Sequence, residues 1–173
     1  MTILILGPNG SGKSAYAEEL VLGLSAGVHY YIATMIPYGE EGRARVEKHR
    51  KQRKNMGFFT VEKSTNVSDV RIPADAAALL EDVSNLLGNA MFSGERDGSG
   101  VFADIRAFCE KCRATVLVSI EGLTEQSAYD EETRAYINEL NRLNSKLIDF
   151  ADVVIVLRDG TPIFVKGDAY ALE

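Results

Sequence analysis

The feature that most limits the fold of this chain is the segment Gly7-Pro8-Asn9-Gly10-Ser11-Gly12-Lys13-Ser14. It fits the pattern G-x-x-x-x-G-K-[ST] and lies between an apolar strand, residues 2–6, and a segment with apolar residues at helical spacing. In such a phosphate-binding loop, or P-loop, the glycines let the backbone wrap closely around a polyphosphate, while Lys13 reaches its β and γ oxygens and Ser14 ligates Mg²⁺. A glycine-rich turn that only closes a strand-helix unit does not need Lys and Ser there. The segment therefore predicts a nucleoside triphosphate site.

The rest of the 173-residue chain alternates between strand and helix patterns, which predicts a single α/β domain over residues 1–173. The alternation favours a mostly parallel sheet with an antiparallel hairpin at one edge. Residues 63–75 and 93–99 are predicted loops. The predicted strands are residues 28–33, 58–61, 76–81, 115–120, 153–157 and 162–165, and the predicted helices include 39–54, 102–112 and one with a stripe of Tyr136, Leu140, Leu143 and Leu147.

A P-loop site needs an acid at the end of a neighbouring strand to hold the hydration shell of magnesium, and Leu79-Leu80-Glu81-Asp82 offers two. Because strand side chains alternate between faces, only one of Glu81 and Asp82 can face the loop. The alternative role for either acid is to cap the following helix or to lie in its first turn. The pattern by itself leaves this choice open.

Residues 43–54 hold seven of the 19 basic residues of an acidic chain. Arg45, His49 and Arg53 are spaced four apart, so one helical face presents an imidazole between two guanidinium groups. Nearby cations disfavour imidazolium and hold the ring neutral, the form in which His49 can attack a phosphate as a nucleophile. The same spacing also suits a solvated basic face in which the histidine has no role.

The composition excludes several classes of protein. A formal net charge of −6 argues against a general binder of nucleic acid or of anionic membranes. No apolar run is long enough to span a bilayer, and the first residues lead into the P-loop instead of a signal-peptide cleavage site, so we expect a cytoplasmic protein. Cys109 and Cys112 are predicted to lie in a helix with no second Cys/His pair to complete a metal site, which favours reduced structural thiols over a redox pair.

The order of these motifs resembles the bifunctional adenosylcobinamide kinase / adenosylcobinamide-phosphate guanylyltransferase family of cobalamin biosynthesis. The resemblance covers essentially the whole chain, and the His-x-x-x-Arg helix is its most specific element. It rests on the P-loop after the first strand, Tyr31-Ile32-Ala33-Thr34, Arg45-Val46-x-x-His49-x-x-x-Arg53, Thr60-Val61-Glu62, Leu79-Leu80-Glu81 with Asn89, Asn144, Ala151-Asp152, and Gly160 with Lys166.

The resemblance implies a RecA-type sheet with helices on both faces, a homotrimer and two reactions that use ATP, GTP and Mg²⁺. A P-loop kinase phosphorylates the aminopropanol hydroxyl of adenosylcobinamide; a histidine then attacks the α-phosphorus of GTP and passes GMP to the new phosphate, giving adenosylcobinamide-GDP. By position, His49 is that nucleophile, Lys13 is the second catalytic residue, and Ser14 and Glu81 bind the metal. The implied nucleotide contacts are Gly7 to Ser14, Ala33, Thr34, Met35, Arg50, Lys51, Gln52, Arg53, Glu62 and Glu81.

The chain also departs from the family pattern, so two other functions stay open. One is a P-loop kinase of small molecules in which His49 has no role, and the other is a nucleotide-dependent switch or assembly ATPase whose basic helix binds a partner. Only the bifunctional enzyme forms a covalent guanylyl-histidine. The departures are Lys54 for Pro, Phe58 for Trp, Ile120 for Asn before Glu121, Asn141 for Gly, and the absence of a downstream Val-Pro.

Overall fold

The computed structural model describes residues 1–24, 27–37, 39–40, 43–44, 46–47, 51, 53, 56–92, 98–124, 126 and 128–168. Within them the chain forms one seven-stranded sheet. Its strands are β1 (Thr2–Gly7), β2 (His29–Ala33), β3 (Phe58–Glu62), β4 (Ala77–Glu81), β5 (Ala114–Ile120), β6 (Val153–Arg158) and β7 (Thr161–Lys166). Their order is β3-β2-β4-β5-β1-β6-β7, and all neighbours are parallel except β6 and β7. The predicted parallel sheet with an antiparallel edge hairpin is confirmed.

Helices cover both faces of this sheet. The helices with continuous described bounds are α1 (Lys13–Gly23), α2 (Val83–Phe92), α3 (Val101–Cys109) and α4 (Glu131–Phe150), and a 3₁₀ turn at Val67–Asp69 interrupts the predicted loop 63–75. The described residues within the predicted helix 39–54 are helical. Residues 93–97 of the other predicted loop lie outside the described residues.

The core has two halves because side chains of a strand alternate between the faces of the sheet. In β1, Ile3 and Ile5 pack with α1, whereas Leu4 and Leu6 pack with α2, α3 and α4. All four side chains are almost fully buried, and such burial stabilises the fold by roughly 1.5 to 3 kcal/mol for each side chain. Burial on both faces explains why β1 is continuously apolar in sequence.

The structure corrects the predicted helix 102–112. Helix α3 ends at Cys109, so the prediction that both cysteines are helical is wrong for Cys112, which lies in the following turn. The chain must turn there because β5 begins at Ala114, and the Arg113 N–H already donates to the Ala76 carbonyl oxygen. Both thiols are free, and burial raises the pKa of Cys109 to about 12, so it is a structural thiol.

The strand order also corrects the expectation that the acid lies on a strand neighbouring the P-loop strand. Strand β5 separates β4, which carries Glu81, from β1. Helix α1 packs across both β5 and β4, and this path brings its first turn toward the end of β4. The carboxyl ends of β1, β2, β4 and β5 thus meet at one edge of the sheet, where parallel α/β folds bind ligands.

Candidate active site

The P-loop joins β1 to α1 by a path that only certain residues allow. A Cβ on Gly7 would lie 2.6 Å from the Ser11 hydroxyl oxygen, so a side chain does not fit where the chain leaves β1. Gly12 has a φ of +86°, in the left-handed region that favours glycine. The buried Lys13 donates from Nζ to the Pro8 carbonyl oxygen at 3.1 Å, so its ammonium group lies across the loop.

Glu81, the last residue of β4, meets the first turn of α1. The Ser14 hydroxyl donates to Glu81 Oε1 at 2.6 Å, and Oε2 is buried with no hydrogen-bond partner among the described residues. Burial raises the pKa of Glu81 to about 7, and this rise outweighs the lowering effect of the Ser14 hydrogen bond. A hydroxyl and a carboxylate with an unused buried oxygen form a pair of ligands suited to a cation.

Asp82 has a different environment, although it is the next residue. Its carboxylate accepts hydrogen bonds from the Ser84 hydroxyl, from the Asn85 backbone N–H at 2.7 Å and from the Asn85 side chain at 3.1 Å. Helix α2 begins at Val83, so Asp82 acts as its N-terminal cap. Of the two acids in the sequence motif, Glu81 is the one that contacts the P-loop.

Thr34, just after β2, connects that strand to the end of β4. Its fully buried hydroxyl lies 3.0 Å from the Glu81 carbonyl oxygen and 2.8 Å from that of Asp82, and it accepts from the Asp82 N–H at 2.8 Å. The Asn89 amide then donates to the carbonyl oxygens of Thr34 and Ser64 at 2.8 and 3.0 Å. These bonds fix the backbone on which the Glu81 side chain is mounted.

A cavity of about 500 Å³ opens beside the Ser14–Glu81 contact. Its lining residues come from α1, the ends of β2, β3 and β4, the segment after β2 and the basic helix. They are Ser14, Ala15, Glu18, Tyr31, Ala33, Met35, Pro37, Val46, Arg53, Glu62, Glu81, Asp82 and Asn85. The cavity therefore extends from the P-loop to the basic helix.

Arg53 supplies a buried positive charge to this cavity. It is only 7% exposed, and its guanidinium carbon lies 4.0 Å from the centroid of the Tyr31 ring. Its Nε is buried with no hydrogen-bond partner among the described residues. Burial raises the pKa of the nearby Glu18 carboxyl, and the Arg53 charge partly offsets this rise. A buried guanidinium stacked on an aromatic ring, with a donor left unused, is suited to an anionic ligand.

The structure brings six of the predicted site residues that it describes to one cavity. Ala33, Met35, Arg53 and Glu62 line one cavity with Ser14 and Glu81. Lys51 is exposed and is not among the lining residues. The Thr34 side chain is bonded to the backbone of β4. The predicted residues Arg45, His49, Arg50 and Gln52 lie outside the described residues.

Among the cavity residues that sequence reasoning did not assign to the site, Glu18 and Tyr31 carry titratable side chains. A signal was present for both: Glu18 follows Ser14 by four residues on α1, and Tyr31 precedes Ala33 by two residues on β2, so each pair shares a face. A third omission is Arg158, which forms an ion pair with Glu121 beside the P-loop. No pattern in the sequence connects these last two residues.

The family model for cobinamide kinase / cobinamide phosphate guanyltransferase (CobU) matches residues 3–165 of this chain. The chain belongs to this family. The match to CobU includes the P-loop, the basic helix, Glu81 and the C-terminal hairpin. No curated protein matches the chain.

Two solved structures share the fold of this CobU family member. An ATPase from the type III secretion system of pathogenic bacteria is 14% identical with a TM-score of 0.54, over 99% of this chain and 60% of that chain. The flagellar accessory protein FlaH from Methanocaldococcus jannaschii is 13% identical with a TM-score of 0.51, over 96% of this chain and 78% of that chain. At such identities the likeness concerns the P-loop NTPase fold alone. In the described parts of the chain, no helix is both long and apolar enough to cross a membrane.

Proposed function

We propose that this chain phosphorylates adenosylcobinamide and then transfers GMP from GTP to the product, giving adenosylcobinamide-GDP. The observation that carries the proposal is the Ser14–Glu81 contact in the lining of a cavity that reaches from the P-loop to Arg53 of the basic helix. One site thus combines a P-loop with Val46 and Arg53 of the predicted helix 39–54, the segment in which His49 lies in sequence. Membership of the CobU family supports both reactions, and the homotrimer implied by the family is part of the same proposal.

In the kinase reaction, the P-loop holds the triphosphate of ATP or GTP. Its backbone N–H groups and the start of α1 provide positive potential for the phosphates. Lys13 exchanges its contact with the Pro8 carbonyl oxygen for the β and γ oxygens of the nucleotide, where it stabilises the charge of the transferring group. The aminopropanol hydroxyl attacks the γ-phosphorus, and the nucleoside diphosphate leaves.

The residues beside the P-loop fit a magnesium ion. The buried Oε2 of Glu81 has no partner among the described residues, and the Ser14 hydroxyl lies against the same carboxylate. Within the described residues there is no cluster of three His, Cys, Asp or Glu side chains that could enclose a metal. This donor set suits Mg²⁺, which keeps several waters and binds through one or two protein oxygens and the phosphates. When bound, the ion neutralises charge on the phosphates, while Ser14 and Glu81 orient it.

In the guanylyl transfer, His49 is the proposed nucleophile. A bond forms between an imidazole nitrogen and the α-phosphorus of GTP as the bond to the pyrophosphate oxygen breaks. The phosphate of adenosylcobinamide phosphate then attacks the same phosphorus and releases His49. Arg53, buried in the cavity, offers a cation to the phosphates that this reaction handles.

Covalent labelling tests the proposal. The protein is incubated with Mg²⁺ and GTP labelled at the α-phosphorus, and then denatured. We expect a protein-bound label that is labile in acid and stable in alkali, as a phosphoramidate is, and that is lost in His49→Asn. A matched control is His29→Asn. His29 is the first residue of β2, at the end of the strand away from the site, and it packs on Phe58. The absence of label in the unaltered protein contradicts the guanylyl transfer and leaves a kinase alone.

A further inference from the structure

The ion pair between Glu121 and Arg158 has no role in the function proposed above. Glu121 directly follows β5, and Arg158 is the last residue of β6. Because β1 lies between β5 and β6, the Arg158 Nη1 to Glu121 Oε1 pair crosses the carboxyl end of β1, where the P-loop begins. The pair is therefore placed above the start of the phosphate-binding loop.

Backbone hydrogen bonds attach Glu121 and the turn that follows Arg158 to the P-loop. The Glu121 N–H donates to the Gly7 carbonyl oxygen at 3.3 Å. On the other side, the Gly160 N–H in the turn after Arg158 donates to the Ser11 carbonyl oxygen at 3.2 Å. The positions of Glu121 and Arg158 are thus fixed relative to the first and middle residues of the loop.

Phosphoryl transfer to a hydroxyl needs a group near the loop that takes the hydroxyl proton, and in many kinases a carboxylate does so. Neighbouring strands of a sheet lie about 4.8 Å apart. The distance of a carboxylate at the end of a strand from the P-loop therefore grows with the number of strands between that strand and β1. Glu62 ends β3, four positions from β1, and Glu81 ends β4, two positions away and against Ser14. Asp82 is occupied as the cap of α2. Glu121 follows the strand adjacent to β1. Its side chain is 20% exposed, although the Oε1 atom that faces Arg158 is buried.

Arg158 explains how this carboxylate is held. Its guanidinium binds Glu121 Oε1 from the strand on the other side of β1. This contact is an ion pair without hydrogen-bond geometry, and the attraction between the two charges holds the carboxylate on the side of β1. Half of the Arg158 side chain is exposed, so Arg158 lies at the protein surface, at the carboxyl end of the sheet.

We propose that Glu121 accepts the proton of the attacking hydroxyl in the kinase reaction, and that Arg158 is the positioning residue that holds Glu121 over the P-loop. The hydroxyl O–H bond breaks as its oxygen bonds to the γ-phosphorus, the proton passes to a Glu121 oxygen, and the bond from the γ-phosphorus to the bridging oxygen breaks to release the nucleoside diphosphate. Glu121 later returns the proton to water. This inference rests on the proposed kinase activity.

A double-mutant cycle on the full chain tests it. Phosphorylation of adenosylcobinamide by ATP and Mg²⁺ is measured for the unaltered protein, Glu121→Gln, Arg158→Gln and the double variant. We expect Glu121→Gln to lower kcat by at least about 100-fold with little change in the KM for ATP, because a general base acts only in the chemical step. Arg158→Gln lowers kcat by about tenfold, as a misplaced base does, and Arg158→Lys restores part of it. The double variant matches Glu121→Gln, because Arg158 acts through Glu121.

Two controls make the outcome decisive. Asp159→Asn changes an exposed carboxylate in the same hairpin turn, at a φ of +48° that asparagine also tolerates, and is expected to leave kcat unchanged. Labelling by GTP reports in each variant whether the rest of the site is intact. A Glu121→Gln protein that keeps its kcat, or loses ATP binding instead, overturns the inference while the proposed function stands. If the unaltered protein does not phosphorylate adenosylcobinamide, the kinase proposal fails and this inference fails with it.

Discussion

At the scale of single residues, Glu81 and Asp82 show how adjacent carboxylates acquire different roles. Successive side chains of a strand point to opposite faces, so Glu81 meets Ser14 on the side of α1 while Asp82 turns toward the start of α2. One oxygen of Glu81 has no hydrogen-bond partner in the part of the chain that the structure describes, whereas both oxygens of Asp82 accept hydrogen bonds. The first arrangement suits a ligand and the second stabilises a helix.

Substitution of these two acids separates the roles. We expect Glu81→Gln to raise the Mg²⁺ concentration needed for half-maximal kinase activity, because it removes the charged oxygen proposed to hold the ion. Asp82→Ala is expected to lower the free energy of unfolding by about 1 kcal/mol, the usual cost of a lost helix cap, with less effect on the Mg²⁺ requirement. Magnesium titrations of activity and urea unfolding of both variants measure this. The opposite ranking in the titrations would place the metal at Asp82.

Arg53 is the second residue whose surroundings indicate a ligand. We expect Arg53→Ala to weaken binding of a fluorescent GTP analogue by about tenfold or more, because a hydrogen bond to a charged group contributes roughly 1.5 to 3 kcal/mol. Arg43→Ala is the matched control, since Arg43 is an exposed arginine in the same helical segment. Equal affinities for the two variants would show that Arg53 serves only to cover Tyr31.

At the scale of elements, the link between β2 and β4 positions the acid of the site. Thr34 and Asn89 bind the backbone of the β2 and β4 ends through the hydrogen bonds described above. The family resemblance implies that Thr34 contacts the nucleotide, but its hydroxyl is hydrogen-bonded to the backbone of Glu81 and Asp82. The Thr34 hydroxyl therefore contributes to the site by holding the backbone that carries Glu81.

Thr34→Val tests this link. The substitution keeps the shape of the side chain but leaves the buried Asp82 N–H without its acceptor, which costs about 1 to 3 kcal/mol. We expect a fall of that size in the free energy of unfolding, together with a raised Mg²⁺ requirement because Glu81 is less well held. Thr34→Ser retains the hydroxyl and should lie near the unaltered protein in both measurements. If valine and serine variants behave alike, the hydroxyl is not what positions the strand end.

At the scale of the whole molecule, the features that could be predicted from the sequence are those that depend on a few neighbouring residues. The P-loop, the strands and the acidic strand end all follow from short motifs and from the period of apolar residues. The lateral order of the strands does not, because it depends on which strands pair across the chain. For that reason the insertion of β5 between β1 and β4, and the contact of Arg158 with Glu121 across β1, could be found only in the structure.

Asn141, one of the departures from the family pattern, lies on α4 near the segment that follows β5. Asn141 stands where the family has glycine, and its amide donates to the Leu123 carbonyl oxygen at 3.4 Å, while Asn144 donates to the carbonyl oxygen of Ile120 at 2.8 Å. Helix α4 thus contacts the segment that begins with Glu121. Asn141, which departs from the family pattern, and Asn144, which matches it, thus both hold the segment that carries Glu121.

Under the proposed function, one chain performs two successive reactions, and product analysis tests this most directly. The protein and its His49→Asn variant are each incubated with adenosylcobinamide, ATP, GTP and Mg²⁺, and the corrinoids are identified by mass spectrometry. We expect the unaltered protein to form adenosylcobinamide-GDP and the variant to stop at adenosylcobinamide phosphate, because the proposed mechanism uses the P-loop for phosphorylation and His49 for guanylyl transfer alone. Formation of adenosylcobinamide-GDP by the variant, or of neither product by the unaltered protein, would contradict the claim.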